Sequence, residues 1–413
     1  MLRWRVLRFA STLAAFALLL VVAACGGRMV PAPVGAPQFP SAAPRLPATP
    51  IRPEPLPPPQ AGAVKVALLL PLSGPNAELG KAMLEAAQLA LFTAAGDQLT
   101  LIPRDTAGAS GAAGAARSAI AEGAQLILGP LLAADVEAVR PIAAEAKVNV
   151  IAFATQTQVA GGNVFLMGFL PRQEVLREVS FARERGLGRF AALAPSTQYG
   201  RLMAEALRDA VAASGGSVTK VEYVDPRGSD IAAAVQRLLG SAARSAGAGS
   251  PPATPEFDAL LLPMGGDQLK QTARQLQETG LDTAKLRLLG SGLWDDPSIA
   301  GEPALYGGWF AASPLEQRRE FENRYRATYG RSPPRLASLA FDAAALAAVL
   351  AKRSDDPFTR EAILNPSGFT GVDGLFRFTP QGLVQRGLAV LELGPQGTRM
   401  VSPAPSSFRD LSF

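Results

Sequence analysis

Four short stretches carry residue types that could do chemistry. Gly74-Pro75-Asn76-Ala77-Glu78-Leu79-Gly80-Lys81-Ala82 follows an apolar run, as a phosphate-binding loop would. That loop needs four residues between its glycines and a hydroxyl after the lysine to hold Mg²⁺. Here five intervene, Pro75 removes an amide donor and Ala82 cannot ligate a metal. Ser217-Val218-Thr219-Lys220 matches the S-x-x-K of β-lactamase-type serine enzymes, whose nucleophile opens a helix and works with Ser-Asp-Asn and Lys-Thr-Gly. Neither companion occurs, and Ser217 falls in a strand pattern. The glycines of Gly108-Ala109-Ser110-Gly111-Ala112-Ala113-Gly114 do not fit the dinucleotide fingerprint G-x-G-x-x-G. Asp295-Asp296, after Trp294, are paired acids without placed partners and read as a turn or helix cap.

Absences narrow the chemistry further. The 413 residues include no histidine and one cysteine, Cys25. Ser-His-Asp and Cys-His catalysis, His-ligated zinc, cysteine-cluster metal sites and internal disulfides are thereby excluded. The expectation is a non-enzymatic protein without metal or cofactor.

The lone cysteine has a context of its own. Arg3, Arg5 and Arg8 precede an apolar run from Phe9 to Val22, which is too short for a comfortable membrane span and suits a signal peptide. Val22-Ala23-Ala24-Cys25-Gly26 resembles a bacterial lipobox, in which residues 1–24 are removed and Cys25 is lipidated. A plain secretory signal ending beside a cysteine is the other reading. The resemblance implies a periplasmic protein anchored by its N-terminal lipid. Gly26, standing where an aspartate would retain a lipoprotein on the inner membrane, favours the outer one. Without residues 1–24 the net charge falls to about +2, and nucleic acid is not an expected partner. Residues 25–62 then hold twelve prolines between Pro31 and Pro59, a composition that cannot bury a core. As a polyproline tether they reach at most about 115 Å at about 3.1 Å per residue.

From Ala63 onward strand and helix patterns alternate. Val64 to Leu70 is a continuous apolar run, as a strand covered on both faces requires, and Asn76 to Ala95 has helical periodicity. Further strands are expected at Leu99 to Pro103, Gln125 to Leu128, Val148 to Phe153, Arg189 to Leu193, Ser217 to Val224, Asp258 to Leu262 and Leu286 to Leu289, with helices between them. Repeated βα units predict parallel sheets flanked by helices. Phe165 to Pro171 reads as a crossover from one sheet to the next. Ser313-Pro314-Leu315-Glu316 reads as a capped helix start, with a second helix over Pro334 to Lys352. Thr379-Pro380-Gln381-Gly382 suits a type I turn, predicting a hairpin of Gly374 to Phe378 with Leu388 to Leu393. Ser241 to Pro255 reads as a surface loop.

The order of Leu70-Pro71-Leu72-Ser73-Gly74, Leu128-Gly129-Pro130-Leu131-Leu132, Tyr199-Gly200 and Phe257-Asp258-Ala259-Leu260 resembles the type I periplasmic-binding fold of the Leu/Ile/Val-binding protein family. The resemblance implies a two-lobed α/β protein over 63–413, with three crossovers and ligand in the cleft between lobes. Lobe 1 would hold about 63–168 and 300–365, and lobe 2 about 172–295 and 370–413. Ser73, Gly74, Gly129, Thr155, Gln156, Thr157, Tyr199 and Trp294 are the implied cleft residues for a small polar ligand.

A nearer resemblance is to alphaproteobacterial lipoproteins grouped with penicillin-binding protein activators. It is carried by Pro71 to Ala77, Tyr306 to Ala312, Ala340 to Ala344 and Gly368 to Phe378. It implies regulation of a peptidoglycan synthase by protein contact, although the helical-repeat domain of the best-known activators is replaced here by the tether. The alternative is a solute-binding receptor, for an amino acid or amide, of an ABC uptake transporter. Against that alternative, the hydroxyls, acid and aromatic that amino-acid binders place at the cleft are not found after Gly129-Pro130, Gly290 and Pro263 respectively.

Overall fold

The computed structural model describes residues 63–94, 98–240, 255–279, 286–353 and 356–409. Cys25, the tether and nearly all of the loop expected at 241–255 lie outside the described residues. Among those described, no helix is long and apolar enough to cross a membrane.

The first sheet grows around β1 (Val64–Leu70), which is fully buried from Val66 onward. It lies between β2 (Leu99–Asp105) and β3 (Leu126–Leu128), and β4 (Asn149–Ala152) and β5 (Val164–Leu166) extend the sheet on the β3 side. All four pairings are parallel, so each connection must cross back over the sheet, most often by a helix. Helices α1 (Ala77–Ala94), α2 (Gly111–Ala121) and α3 (Ala133–Glu145) supply three of them.

After a first crossover at 167–170, α4 (Pro171–Glu184) leads into the second sheet. Its parallel part is β6 (Arg189–Pro195), β7 (Ser217–Val224), β8 (Ala259–Leu261), β9 (Arg287–Leu289) and β10 (Trp309–Ala312), with α5 (Gln198–Ala213), α6 (Ile231–Leu239) and α7 (Gly266–Glu278) between strands. A second crossover at Ser313-Pro314 returns the chain to the first lobe. There α8 (Leu315–Tyr329) and α9 (Ala337–Ala351) bury Phe321, Tyr325, Leu339 and Ala343 against Met83 of α1 and Leu128 of β3. The short α10 (Arg360–Ile363) follows, then a small antiparallel sheet of β11 (Phe369–Gly371), β12 (Gly374–Phe378) and β13 (Val384–Arg386). A third crossover at Gly387-Leu388 delivers β14 (Ala389–Gly394) and β15 (Gly397–Ser402) to the second sheet, where β14 pairs antiparallel with β10.

Four expectations are corrected. Residues 300–312 belong to the second lobe, because β10 is hydrogen-bonded between β9 and β14. Residues 370–386 build on the first lobe, since Phe376, Phe378 and Val384 join its core. The turn at Thr379–Gly382 forms, with the Gly382 amide donating to the Thr379 carbonyl at 2.8 Å, but the partner of β12 is β13. Strand β14 leaves for the second sheet because its apolar face, Ala389 to Leu391 and Leu393, is buried there. Finally, Pro314 and not Ser313 caps α8, and the buried Ser313 hydroxyl accepts from Arg335 at 3.2 Å.

Both lobes use the same close contact between first helix and strand end. A Cβ on Gly80 of α1 would stand 2.0 Å from the Pro71 carbonyl oxygen, and one on Gly200 of α5 would stand 2.0 Å from that of Pro195. Only glycine lets helix and strand approach so closely.

Candidate functional site

In open parallel sheets, ligand groups gather outside the carboxyl ends of the strands, because the helix N-termini and loops converge there. In the first lobe the loop after β1 is held by Asp105, at the end of β2. Its Oδ1 accepts the Leu72 amide at 2.8 Å and the Ala107 amide at 2.9 Å. Burial pushes the Asp105 pKa up, but the Ser73 hydroxyl and the amides of Ala107, Leu72 and Ser73 outweigh it and hold the carboxyl below its usual range. Ser73, although exposed, therefore positions its own loop, and Gly74 opens the turn that leads into α1.

Gly129 is buried at φ +89°, and a Cβ there would meet the Leu69 carbonyl oxygen at 2.2 Å. Its amide donates to Ile151 at 2.8 Å, so this glycine shapes the strand end and has no donor left for a ligand. Phe153 donates to the Pro130 carbonyl at 2.9 Å and ties the loops after β3 and β4 together. On the second of these Thr155 and Thr157 are exposed and Gln156 is half-buried. Leu132, 44% exposed, stands at the N-cap of α3.

The second lobe supplies the charged part of the site. Glu174, in the first turn of α4, accepts the Gly292 amide on Oε2 at 3.0 Å. Tyr199, half-buried in the first turn of α5, hydrogen-bonds to Ser291 and lies within the field of Glu174; burial first, then that carboxylate, raises its pKa. Burial pushes Glu174 up to about 7, against the lowering effects of the Gly292 amide and of Arg335. One turn further along α4, Glu178 is buried and accepts the Ala311 amide at 2.8 Å on Oε1, while Oε2 has no partner. Burial holds this second carboxyl well above its usual range. Leu293, 47% exposed, stands beside them.

Of the residues singled out in the sequence, the structure brings Tyr199 into this cluster and leaves Thr155, Gln156 and Thr157 available across the crossover. Trp294 is corrected to a core residue. It is 1% exposed, its Nε1 donates to the Leu262 carbonyl at 3.1 Å, and it fills the space that glycines at 290 and 308 leave open. Glu174 and Ser291 were not singled out. The acid does not follow Gly290 in the chain; it arrives from α4, 118 positions earlier. The available signal was a glutamate in the first turn of the helix that follows a crossover. Asp295 and Asp296 behave as structural residues: Asp296 caps the 297–299 turn through Ser298 at 2.8 Å, and Asp295 accepts from Arg318 at 2.9 Å.

Beneath the site the three crossovers are tied by charge. Arg386 donates to the Met167 carbonyl at 2.7 Å in the first crossover, and its amide donates to Gln173 of α4 at 3.0 Å. Arg335 reaches Ser313 in the second crossover, pairs with the fully buried Asp373 at 2.8 Å and lies over the Phe169 ring at 4.0 Å. Arg177 of α4 donates to the Leu388 carbonyl at 2.9 Å in the third. Among the described residues, no group of three or more His, Cys, Asp or Glu side chains could hold a metal ion.

This architecture has relatives. The profile of the periplasmic binding protein family matches residues 63–397. The chain belongs to that family. No curated protein matches it. Among solved structures, this periplasmic binding protein resembles a candidate branched-chain amino acid ABC transporter from Rhodospirillum rubrum, at TM-score 0.71 and 21% identity over 82% of this chain and 100% of that one. An ABC transporter substrate-binding protein from Sphaerobacter thermophilus aligns at TM-score 0.64 and 22% identity, covering 84% and 98%. A solute-binding protein of an ABC transporter from R. palustris, solved with benzoate, aligns at 0.58 and 19%, covering 84% and 98%. At these identities the likeness is one of fold, and the periplasmic binding protein's ligand has to be argued from its own residues.

Proposed function

We propose that the chain is a periplasmic receptor for a small, amine-bearing solute, an apolar amino acid being the best fit, and that the receptor is held to a membrane by lipid on Cys25. The observation that carries the reading is the Glu174 carboxylate, fixed by the Gly292 amide beside Tyr199 and Ser291. An ammonium removed from water needs a partner of opposite charge, and a half-buried carboxylate with an aromatic neighbour supplies it. The first lobe offers the other end of a zwitterion the hydroxyls of Thr155 and Thr157 and the N-terminal amides of α3. Leu132 and Leu293, exposed on loops of the two lobes, suit an apolar side chain. Relatives of the same fold were solved with isoleucine and with benzoate. An aromatic acid without an amine would face Glu174 unpaired, which favours the amino acid.

The alternative partner, a peptidoglycan synthase, rests on the four segments that resemble activator lipoproteins. Within them Phe310, Ala311, Asp342, Asp373 and Phe376 are buried, so they support a shared fold more than a shared docking face. Gly26 favours the outer membrane, where a receptor could not easily dock on an inner-membrane permease, so membrane fractionation separates the two partners.

The deciding experiment is a melting scan of the purified protein with each of the twenty amino acids. Ligand at 100 times its dissociation constant adds about 2.7 kcal/mol to stability. The receptor reading expects a shift of several degrees with at least one apolar amino acid, absent in Glu174→Gln. No shift with any of them, together with crosslinking in cells to a wall synthase, would replace it with the activator reading.

A further inference from the structure

The loop that follows β9 belongs to the second lobe. Its Gly290 amide donates to the Trp309 carbonyl at 2.7 Å, and Trp294 is buried in that lobe's core. Ser291 and Gly292 of the same loop hold Tyr199 and Glu174. Asp295, the residue after Trp294, reaches the other lobe. Its Oδ1 accepts from Arg318 Nη2 at 2.9 Å, and Nη1 of the same guanidinium meets Oδ2. Arg318 stands near the start of α8, just before Phe321, which is buried in the first lobe's core. The fork thus runs from a fixed part of one lobe to a fixed part of the other, and a planar two-point contact sets orientation as well as distance.

Arg318 is 7% exposed. Losing one member of a buried ion pair strands the other charge. Parting of the lobes would not. Arg318 Nε also faces Glu322 Oε1 at 3.4 Å, one turn along the same helix, so the cation keeps a partner when Asp295 withdraws. Burial and the like charge of Arg335 lower the Arg318 pKa, so the closed fork is held against a penalty that exposure to water relieves. The Arg335–Asp373 pair, in contrast, lies within the first lobe, and movement between lobes cannot release it.

We propose that Arg318 and Asp295 form an interlobe latch: it holds the two lobes at the angle seen in the structure and, through the loop it grips, couples that angle to the position of Glu174 and Tyr199. The latch is a property of the empty chain and does not depend on which ligand the cleft takes.

The test uses the full chain without ligand, carrying Cys25→Ser, Ala138→Cys and Glu205→Cys, with spin labels on these exposed positions of α3 and α5 and their separation measured by pulsed electron paramagnetic resonance. Asp295→Asn and Arg318→Met should each shift the separation by several ångströms in the same direction. Asp295→Leu with Arg318→Met replaces the pair by apolar side chains, which keeps the chain folded, and should shift it no further than either single change, because all three remove one contact. Glu322→Gln removes only the partner on the same helix and should leave the separation where it was. Wild-type separations in the single variants and the apolar pair, shifts that add, or a shift in Glu322→Gln as large as that in Asp295→Asn would each overturn the latch.

Discussion

The Glu174 carboxylate and the Gly292 amide meet at 3.0 Å, joining the helix that opens the second lobe to the loop that follows β9. Burial holds this acid at about 7, above its ordinary 4.5. An acid whose folded pKa is raised keeps its proton longer in the folded chain, so its contribution to stability falls as pH climbs from about 4.5 to about 7. Ligand-free Glu174→Gln should therefore melt with the wild type at acid pH and above it in mildly alkaline buffer. Calorimetric scans across that window check the sign. With an amine-bearing ligand the order reverses. Loss of a charged hydrogen bond costs about 1.5–3 kcal/mol, roughly ten- to a hundredfold in affinity.

Asp373 is fully buried and receives Arg335 at 2.8 Å and the Ser338 hydroxyl at 2.7 Å, with Arg386 close by. Removing one member of a buried pair leaves the other charge uncompensated, at about 3–5 kcal/mol. Asp373→Ala should lower the unfolding free energy extrapolated from urea titration by about that amount. Asp373→Ala combined with Arg335→Met should lower it by less than the two single changes added together.

Gly200→Ala places a methyl against the Pro195 carbonyl, and α5 must shift to admit it. Overpacking of this kind costs about 1–3 kcal/mol. The shift carries Tyr199 with it, so ligand affinity should fall along with the melting temperature. Gly80→Ala should destabilise to a similar degree and leave Tyr199 where it is, which a comparison of the two variants' affinities will reveal.

Cys25→Ser removes the only thiol. If that thiol is the acylation site, labelled fatty acid should enter the wild-type chain in cells and not the variant. Equal labelling would rule out the anchor.

The parallel strands were legible because a strand covered on both faces must be apolar throughout, and Val66 to Leu70 and Phe190 to Ala194 are. Turn chemistry located Thr379–Gly382 correctly but does not specify what the strand beyond it pairs with. Strand β13 has three residues and little hydrophobic signal, whereas β14 is strongly apolar and drew the pairing to itself. Glu174 escaped for a related reason. The need for an acid beside the second lobe's strand ends was recognised, but the fold fills it from a distant segment, and spacing along the chain carries no trace of that. Trp294 was misplaced because an aromatic after a strand end can face either a ligand or the core, and only glycines at 290 and 308, with nothing to keep the ring out, decide between them.

Arg386 makes bonds to both the strand end that enters the first crossover and the helix that leaves it, while lying one residue before the third. A body linked to another at three separate points would ordinarily be locked. With the first link held by Arg386, the second by Arg335 and the third by Arg177, all close together, the three are expected to act as a single pin that leaves one rotational degree of freedom. Distances between labels on the two lobes should therefore fall into two discrete populations that exchange, and a cut in one crossover strand should loosen the other two as well.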